Sequence, residues 1–287
     1  MSTQYIDELS GVSTTGHEWD GIKELDNPLP RWWVVILYIT IAWALGYTIA
    51  YPAWPMLSSA TNGALGYSSR NEVKKELAAA EAAKAKYVAA VKSKTVSEIV
   101  ADDPLREFAV AAGFAAFRVN CVQCHGSGAQ GSRGFPNLND DDWLWGGNAD
   151  EIQQTITHGV RFTSDPDTRV SEMPAFGDVI TPEQIAQVSA YVASLSGPVR
   201  NASLIEPGAK VFAENCVACH GENAKGNREF GAPDLTDAIW LYGPGETAIA
   251  AQVRAPKQGV MPAWIGRLGE IKVKELAVYV HSLGAGE

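Results

Sequence analysis

A five-residue pattern used twice, Cys121-Val122-Gln123-Cys124-His125 and Cys216-Val217-Ala218-Cys219-His220, constrains this chain more than any other feature, because the two copies use all four of its cysteines. C-x-x-C-H is the attachment signature of c-type haem. Two thiols at that spacing sit on about one helical turn, within reach of both vinyl groups of one porphyrin, and the adjoining imidazole meets the iron from the same face. Paired C-x-x-C motifs also bind zinc or cycle as disulfides, but such zinc sites hold roughly 15 to 20 residues between the pairs. Here the pairs stand much further apart and a histidine follows each. Two covalently bound haem c groups are the expected cofactors.

Trp32 to Tyr51 contains no charged residue, and about 20 residues at 1.5 Å each cross roughly 30 Å of hydrocarbon. Trp32 and Trp33 at one end, with Tyr47, Tyr51 and Trp54 at the other, form aromatic belts at headgroup depth. Residues 31–54 are therefore expected to be a transmembrane helix. A cleaved signal peptide has a shorter apolar run, about 7 to 15 residues, so an uncleaved anchor fits better. Residues 1–30 are polar and acidic and are broken by Gly11, Gly21, Pro28 and Pro30; they read as an irregular cytoplasmic leader. Haem attachment to such motifs is extracytoplasmic in bacteria, which sets the expected topology: single-pass in the bacterial inner membrane, N-terminus cytoplasmic, haem domains periplasmic. A net charge of -10 lacks the basic footprint of phosphate binding and excludes nucleic acid as a partner.

Residues 55–103 are expected to form a periplasmic linker with a helix over 69–93, opened by Ser69 and Glu72 as a capping box. Val73, Leu77, Ala80, Ala83, Tyr87 and Val91 follow in steps of three or four. That stripe serves either as part of a solvated, Ala-rich spacer or as a face packed on a partner subunit.

From residue 104 the chain repeats itself. Gly113 and Phe117 precede Cys121 as Gly208 and Phe212 precede Cys216, and Asn-Cys-Val-x-Cys-His-Gly recurs at an offset of 95. Trp143-Leu144-Trp145-Gly146 answers Trp240-Leu241-Tyr242-Gly243, and each copy ends in a helix containing Tyr-Val-x-Ser-Leu. Asp103-Pro104 opens the first helix and Thr181-Pro182-Glu183-Gln184 caps the last helix of the first copy. The expectation is an all-α fold with two tandem domains, 104–200 and 201–287. In each, the glycine is expected to let the first helix pack closely on the last, with Phe117 or Phe212 filling the contact.

His125 and His220 are the expected fifth ligands. Of four methionines, Met1 opens the leader and Met56 sits at the membrane exit, leaving Met173, 48 residues after His125, and Met261, 41 after His220. Both precede Pro-Ala-aromatic, and their paired position favours ligation over core filling. His158 and His281 are rivals without an equivalent in the other copy. His/Met ligation fills both axial positions, so no iron is open to substrate, no catalytic residue is expected, and conduction is favoured over oxygen or peroxide chemistry. The carbonyls of Pro136 and Pro233 are candidates to accept the other ring N–H of each histidine. Trp143 and Trp240 are candidates to donate to haem propionates or to fill an aromatic core, and Arg133 and Arg228 to pair with propionates or remain solvated.

The halves from residue 104 resemble class I cytochrome c domains, and the whole chain resembles the dihaem subunit III of cbb3-type cytochrome c oxidases. The most specific likeness lies outside the haem motifs, in Thr15-Gly16-His17-Glu18-Trp19-Asp20-Gly21, Pro28-Leu29-Pro30-Arg31-Trp32-Trp33 and Tyr51-Pro52-Ala53-Trp54-Pro55. The resemblance implies an electron-transfer subunit of a proton-pumping terminal oxidase. It would take electrons from a periplasmic cytochrome c or a cytochrome bc1 complex and pass them to the monohaem and catalytic subunits, where oxygen is reduced. A dihaem carrier serving a membrane-bound dehydrogenase is the alternative, and a dihaem peroxidase, which needs an open iron, is a third reading. The acid run Asp140-Asp141-Asp142 suits either a cationic donor or plain solvation.

Overall fold

The structure, a computed structural model, describes residues 5–284. The chain divides between Ala82 and Ala83 into two compact units.

In the first unit, β1 (Thr14–Trp19) and β2 (Ile22–Leu25) pair antiparallel, with Trp19 opposite Ile22 and Glu18 opposite Lys23. This corrects the reading of residues 1–30 as irregular; residues 1–4 lie outside the described residues. Asp20 and Gly21, at φ 50° and 83°, form the two-residue Asp-Gly turn whose twist matches that of paired strands. Gly21 breaks helical periodicity because it makes a hairpin. Next comes α1 (Arg31–Ala50), a 20-residue helix of mean hydropathy 1.8 with no buried residue. A helix apolar on every side and covered on none has the pattern of a lipid-facing anchor.

The second unit begins within α2 (Ser69–Ser93), which starts at Ser69 itself. Val73 and Leu77 near its start are exposed, whereas Val91 is fully buried and Tyr87 stacks on Phe108 with ring centroids 5.0 Å apart. α3 (Val96–Ala101) follows, its start fixed by a Thr95–Glu98 capping box. Val91, Val96 and Ile99 all belong to the first hydrophobic core, so that core recruits residues from the expected linker, ahead of residue 104.

α4 (Asp103–Asn120) is capped by Asp102 rather than Asp103, and α5 (Val122–His125) carries the first attachment motif. α6 (Ala149–His158) is capped by Asn148 and Glu151, and α7 (Pro182–Ser196) by Thr181 and Gln184 as expected. The second copy supplies α8 (Ile205–Asn215), α9 (Val217–His220), α10 (Glu246–Arg254) and α11 (Ile265–His281).

The packing departs from the tandem expectation in one respect. The first helix of each copy packs on the last helix of the other: α4 on α11, and α8 on α7. A Cβ on Gly113 would lie 2.1 Å from the Glu275 carbonyl oxygen and 2.6 Å from Tyr279 Cβ, and one on Gly208 would lie 2.1 Å from the Gln187 carbonyl oxygen. Phe117 meets Tyr279 at 5.3 Å between ring centroids, and Phe212 meets Tyr191 at the same distance. Glycine and phenylalanine thus do what the sequence predicts, against a helix from the opposite repeat. The physical reason is the connection: Gly197-Pro198 ends α7, a single 3-10 turn at Ala202–Leu204 follows, and α8 starts at once. A link that short makes the two helices antiparallel neighbours. α7, α8 and α10 then enclose one core from a continuous stretch of chain, while α3, α4, α6 and the returning α11 enclose the other.

Candidate haem-binding sites

Each attachment motif is one helical turn set at the end of a longer helix. α4 stops at Cys121 and α8 at Cys216, and the His125 and His220 amides donate to the Cys121 and Cys216 carbonyls at 2.9 and 3.0 Å. Gly126 and Gly221 end the turns. That hydrogen bond keeps both cysteines and the histidine on one side of a single turn. Burial pushes the Cys121 and Cys216 thiols up to about 11, with the neighbouring cysteine adding to the effect, and none of the four cysteines is in a disulfide.

The histidines are oriented from behind. His125 Nδ1 lies 3.2 Å from the Pro136 carbonyl oxygen and His220 Nδ1 lies 3.3 Å from that of Pro233. Burial depresses both imidazoles, opposed by these carbonyls. A neutral ring that donates through Nδ1 keeps the Nε2 lone pair for a metal. The proline segments come close because Gly131 and Gly226 lie under them at φ 69° and 79°; a Cβ at either would lie 2.6 Å from the Pro136 or Pro233 carbonyl carbon.

The exchange of helices carries the methionines with it. Met173 packs with Cys216 and Trp240 against the core of α7, α8 and α10. It lines a cavity of about 730 Å³ together with Cys219, His220, Phe212 and Val192. Met261 packs with Cys121 and Trp143 against the other core. In sequence each methionine follows the histidine of its own repeat, whereas the structure places Met173 in the cavity of Cys216, Cys219 and His220 and packs Met261 with Cys121. The cause is again the short α7–α8 connection, which carries the segment leading into α7, Met173 included, across to the second repeat's motif.

Backbone contacts hold both loops. Val160 and Met261 exchange N–H···O bonds of 2.9 and 3.0 Å, and the Gln258 side chain brackets Met173, accepting from its N–H at 3.2 Å and donating to its carbonyl at 2.9 Å. Sequence reading missed Val160, Gln258 and Arg161, whose roles depend on contacts between segments about 90 to 100 positions apart. His158 Nδ1 lies 3.1 Å from an Asp165 carboxylate oxygen. His281 is the last residue of α11.

The surroundings fit a large apolar ligand carrying carboxylates. A cavity of that size lies within the roughly 300 to 1,000 Å³ usual for ligand pockets, and its lining includes aromatic and aliphatic side chains, the Cys216 and Cys219 residues and the Met173 thioether. Among the described residues, Arg169 Nε is the buried side-chain nitrogen or oxygen left without a partner. Its guanidinium lies over the Trp145 ring at 5.2 Å. Arg133, from the first copy, lines the cavity of the second motif.

Comparison with known proteins adds two family matches. The family described as the N-terminal domain of cytochrome oxidase-cbb3, FixP, matches residues 11–58, and that described as cytochrome C oxidase, cbb3-type, subunit III, matches residues 108–192 and again 203–280. The two matches of the second family follow the sequence repeat, not the packing. Among curated relatives, the cbb3-type cytochrome c oxidase subunit FixP of Sinorhizobium medicae is 63% identical over 99% of this chain and 98% of its own. FixP of Rhizobium meliloti is 62% identical over the same shares. The subunit CcoP of Cereibacter sphaeroides is 51% identical over 96% of this chain and 95% of its own.

Proposed function

Because the chain belongs to the subunit III family of cbb3-type cytochrome c oxidases, it is an electron-transfer subunit of such an oxidase, and we propose that it does this work with two cross-ligated haem c groups. Cys121 and Cys124 would hold one, with His125 and Met261 as axial ligands. Cys216 and Cys219 would hold the other, with His220 and Met173. Covalent haem c supplies one-electron redox chemistry when bound. The observation that carries the reading is the placement of Met173 in one cavity with Cys216, Cys219 and His220.

The chain's own residues determine what that chemistry can be. His125, His220 and the two methionines would hold the groups closed to substrate, so this subunit would have no catalytic site of its own and oxygen would be reduced in a partner. Pro136 and Pro233 hold the imidazoles' orientation and tautomer. Arg133, which lines the cavity of the second motif, would pair with a propionate, and Trp143 and Trp240, packed against the two cores, would bound the sites. The relatives named above are oxidase subunits, which disfavours the dehydrogenase-carrier alternative.

Topology follows from chemistry. α1 would anchor the chain in the bacterial inner membrane, with the β1–β2 hairpin cytoplasmic and residues from 55 onward periplasmic, where haem c is attached. Electrons would arrive from a periplasmic cytochrome c or a bc1 complex and leave for the monohaem and catalytic subunits. Asp140, Asp141 and Asp142 would favour a cationic donor. Purification in mild detergent tests the assignment: pyridine haemochrome should give two haem c per chain, with a copper-containing partner co-purifying. One haem c per chain, or a chain purified alone, would contradict it.

A further inference from the structure

Arg161 occupies the point where the two methionine loops cross, and nothing in the repeat predicts it. Its guanidinium donates twice to backbone: Nε to the Gly259 carbonyl and Nη1 to the Ser171 carbonyl, both at 2.8 Å. Gly259 stands two residues before Met261 and Ser171 two residues before Met173. One planar side chain therefore ties both ligand loops, one from each repeat. Its backbone is committed as well: the Arg161 amide donates to the Arg169 carbonyl at 2.6 Å, and Val160 beside it exchanges two hydrogen bonds with Met261.

Arg161 holds this place at φ 54°. A long side chain in the left-handed region is unfavourable and persists only where surrounding contacts enforce it. Arg161 is half-buried and lines the same cavity as Met173 and His220. Guanidinium suits the position because its fork is rigid and offers several donors in one plane; an ammonium on a flexible stem does not bridge two carbonyls in the same fixed way.

We infer that Arg161 is a positioning residue which couples the two haem sites, by holding the Met173 and Met261 loops against each other so that loss of this clamp unseats both sulfurs. This rests on the cross-repeat ligand assignment above. Ligation by a loop methionine depends on that loop staying seated. A shared clamp makes the two seats one element, so both irons keep their thioether, and with it a high potential, together.

The test uses the full-length, haem-loaded protein. Arg161→Gln and Arg161→Lys are compared with wild type by the sulfur-to-iron charge-transfer absorption and by redox titration of both haems, with haem content per chain and thermal unfolding recorded alongside. The expected result for Arg161→Gln is at least about a twofold loss of the charge-transfer absorption, shared between both haems, and a fall in both potentials at unchanged covalent haem content. Arg161→Lys should recover only part of the loss. A variant that unfolds at lower temperature but keeps both absorptions and both potentials, or one in which a single haem changes, would overturn the coupling. Met173→Leu and Met261→Leu are run in parallel. Should neither remove absorption from any haem, the ligand assignment fails on its own, while the two potentials in Arg161→Gln still decide whether the loops are coupled.

Discussion

Gly113 and Gly208 show how single residues set the architecture. Each permits helix backbones to approach so closely that a methyl group would stand about 2.1 Å from a carbonyl oxygen. Gly113→Ala should therefore separate α4 from α11 and destabilise the protein by about 1 to 3 kcal/mol, the usual range for overpacking, and denaturant unfolding measures it. Asp142 offers a second test at this scale. Burial, then Asp237 and Asp140, push its carboxyl up to about 6 from an ordinary value near 3.8. The folded state then binds more protons than the unfolded state between roughly pH 4 and 6, so stability falls as pH rises through that window. Asp142→Asn should remove this part of the pH dependence, stabilising the protein at pH 7 but not at pH 4; equal melting shifts at both pH values would contradict it. Candidate ligands could be named at this scale because Cys, His and Met at repeated spacings carry their chemistry in the letters. Arg161 was not, since its role is fixed by a backbone angle and two carbonyls supplied from afar.

At the level of elements, the sequence disclosed α1, α2, α4, α7, α8 and α11 and the Thr181 cap, because periodicity and capping are local, but not α3, α6 or α10. It did not disclose which helix packs on which. Two copies of one pattern are compatible with two closed domains or with exchanged ones, and a short connection between α7 and α8 decides for exchange. The hairpin was missed for a related reason: Asp20-Gly21 is a turn only if the flanking residues pair. The exchange predicts an asymmetry between fragments. Residues 172–258 contain α7, α8, α9, α10, Met173 and Gln258 in continuous order. Produced alongside haem-attachment machinery, this fragment should fold as a one-haem protein, read by circular dichroism and by covalent haem content. Residues 201–287, the second sequence repeat, lack α7 and should not. The opposite result would restore the tandem arrangement.

For the whole molecule, the apolar α1 and the electron-transfer role belong to one oxidase subunit. If Asp140, Asp141 and Asp142 help dock a cationic donor, donor oxidation by the intact oxidase should slow as ionic strength rises, since docking charges are screened over about 10 Å at 0.1 M salt; a rate indifferent to salt would remove that role. The central claim remains that each iron is closed by a methionine from the opposite repeat. It is tested most directly in full-length protein with the first attachment site disabled by Cys121→Ala and Cys124→Ala, so that only the haem on Cys216 and Cys219 remains. Introduced there, Met173→Leu is predicted to abolish the sulfur-to-iron absorption of that haem and Met261→Leu to leave it intact. Loss with Met261→Leu and retention with Met173→Leu would contradict the account.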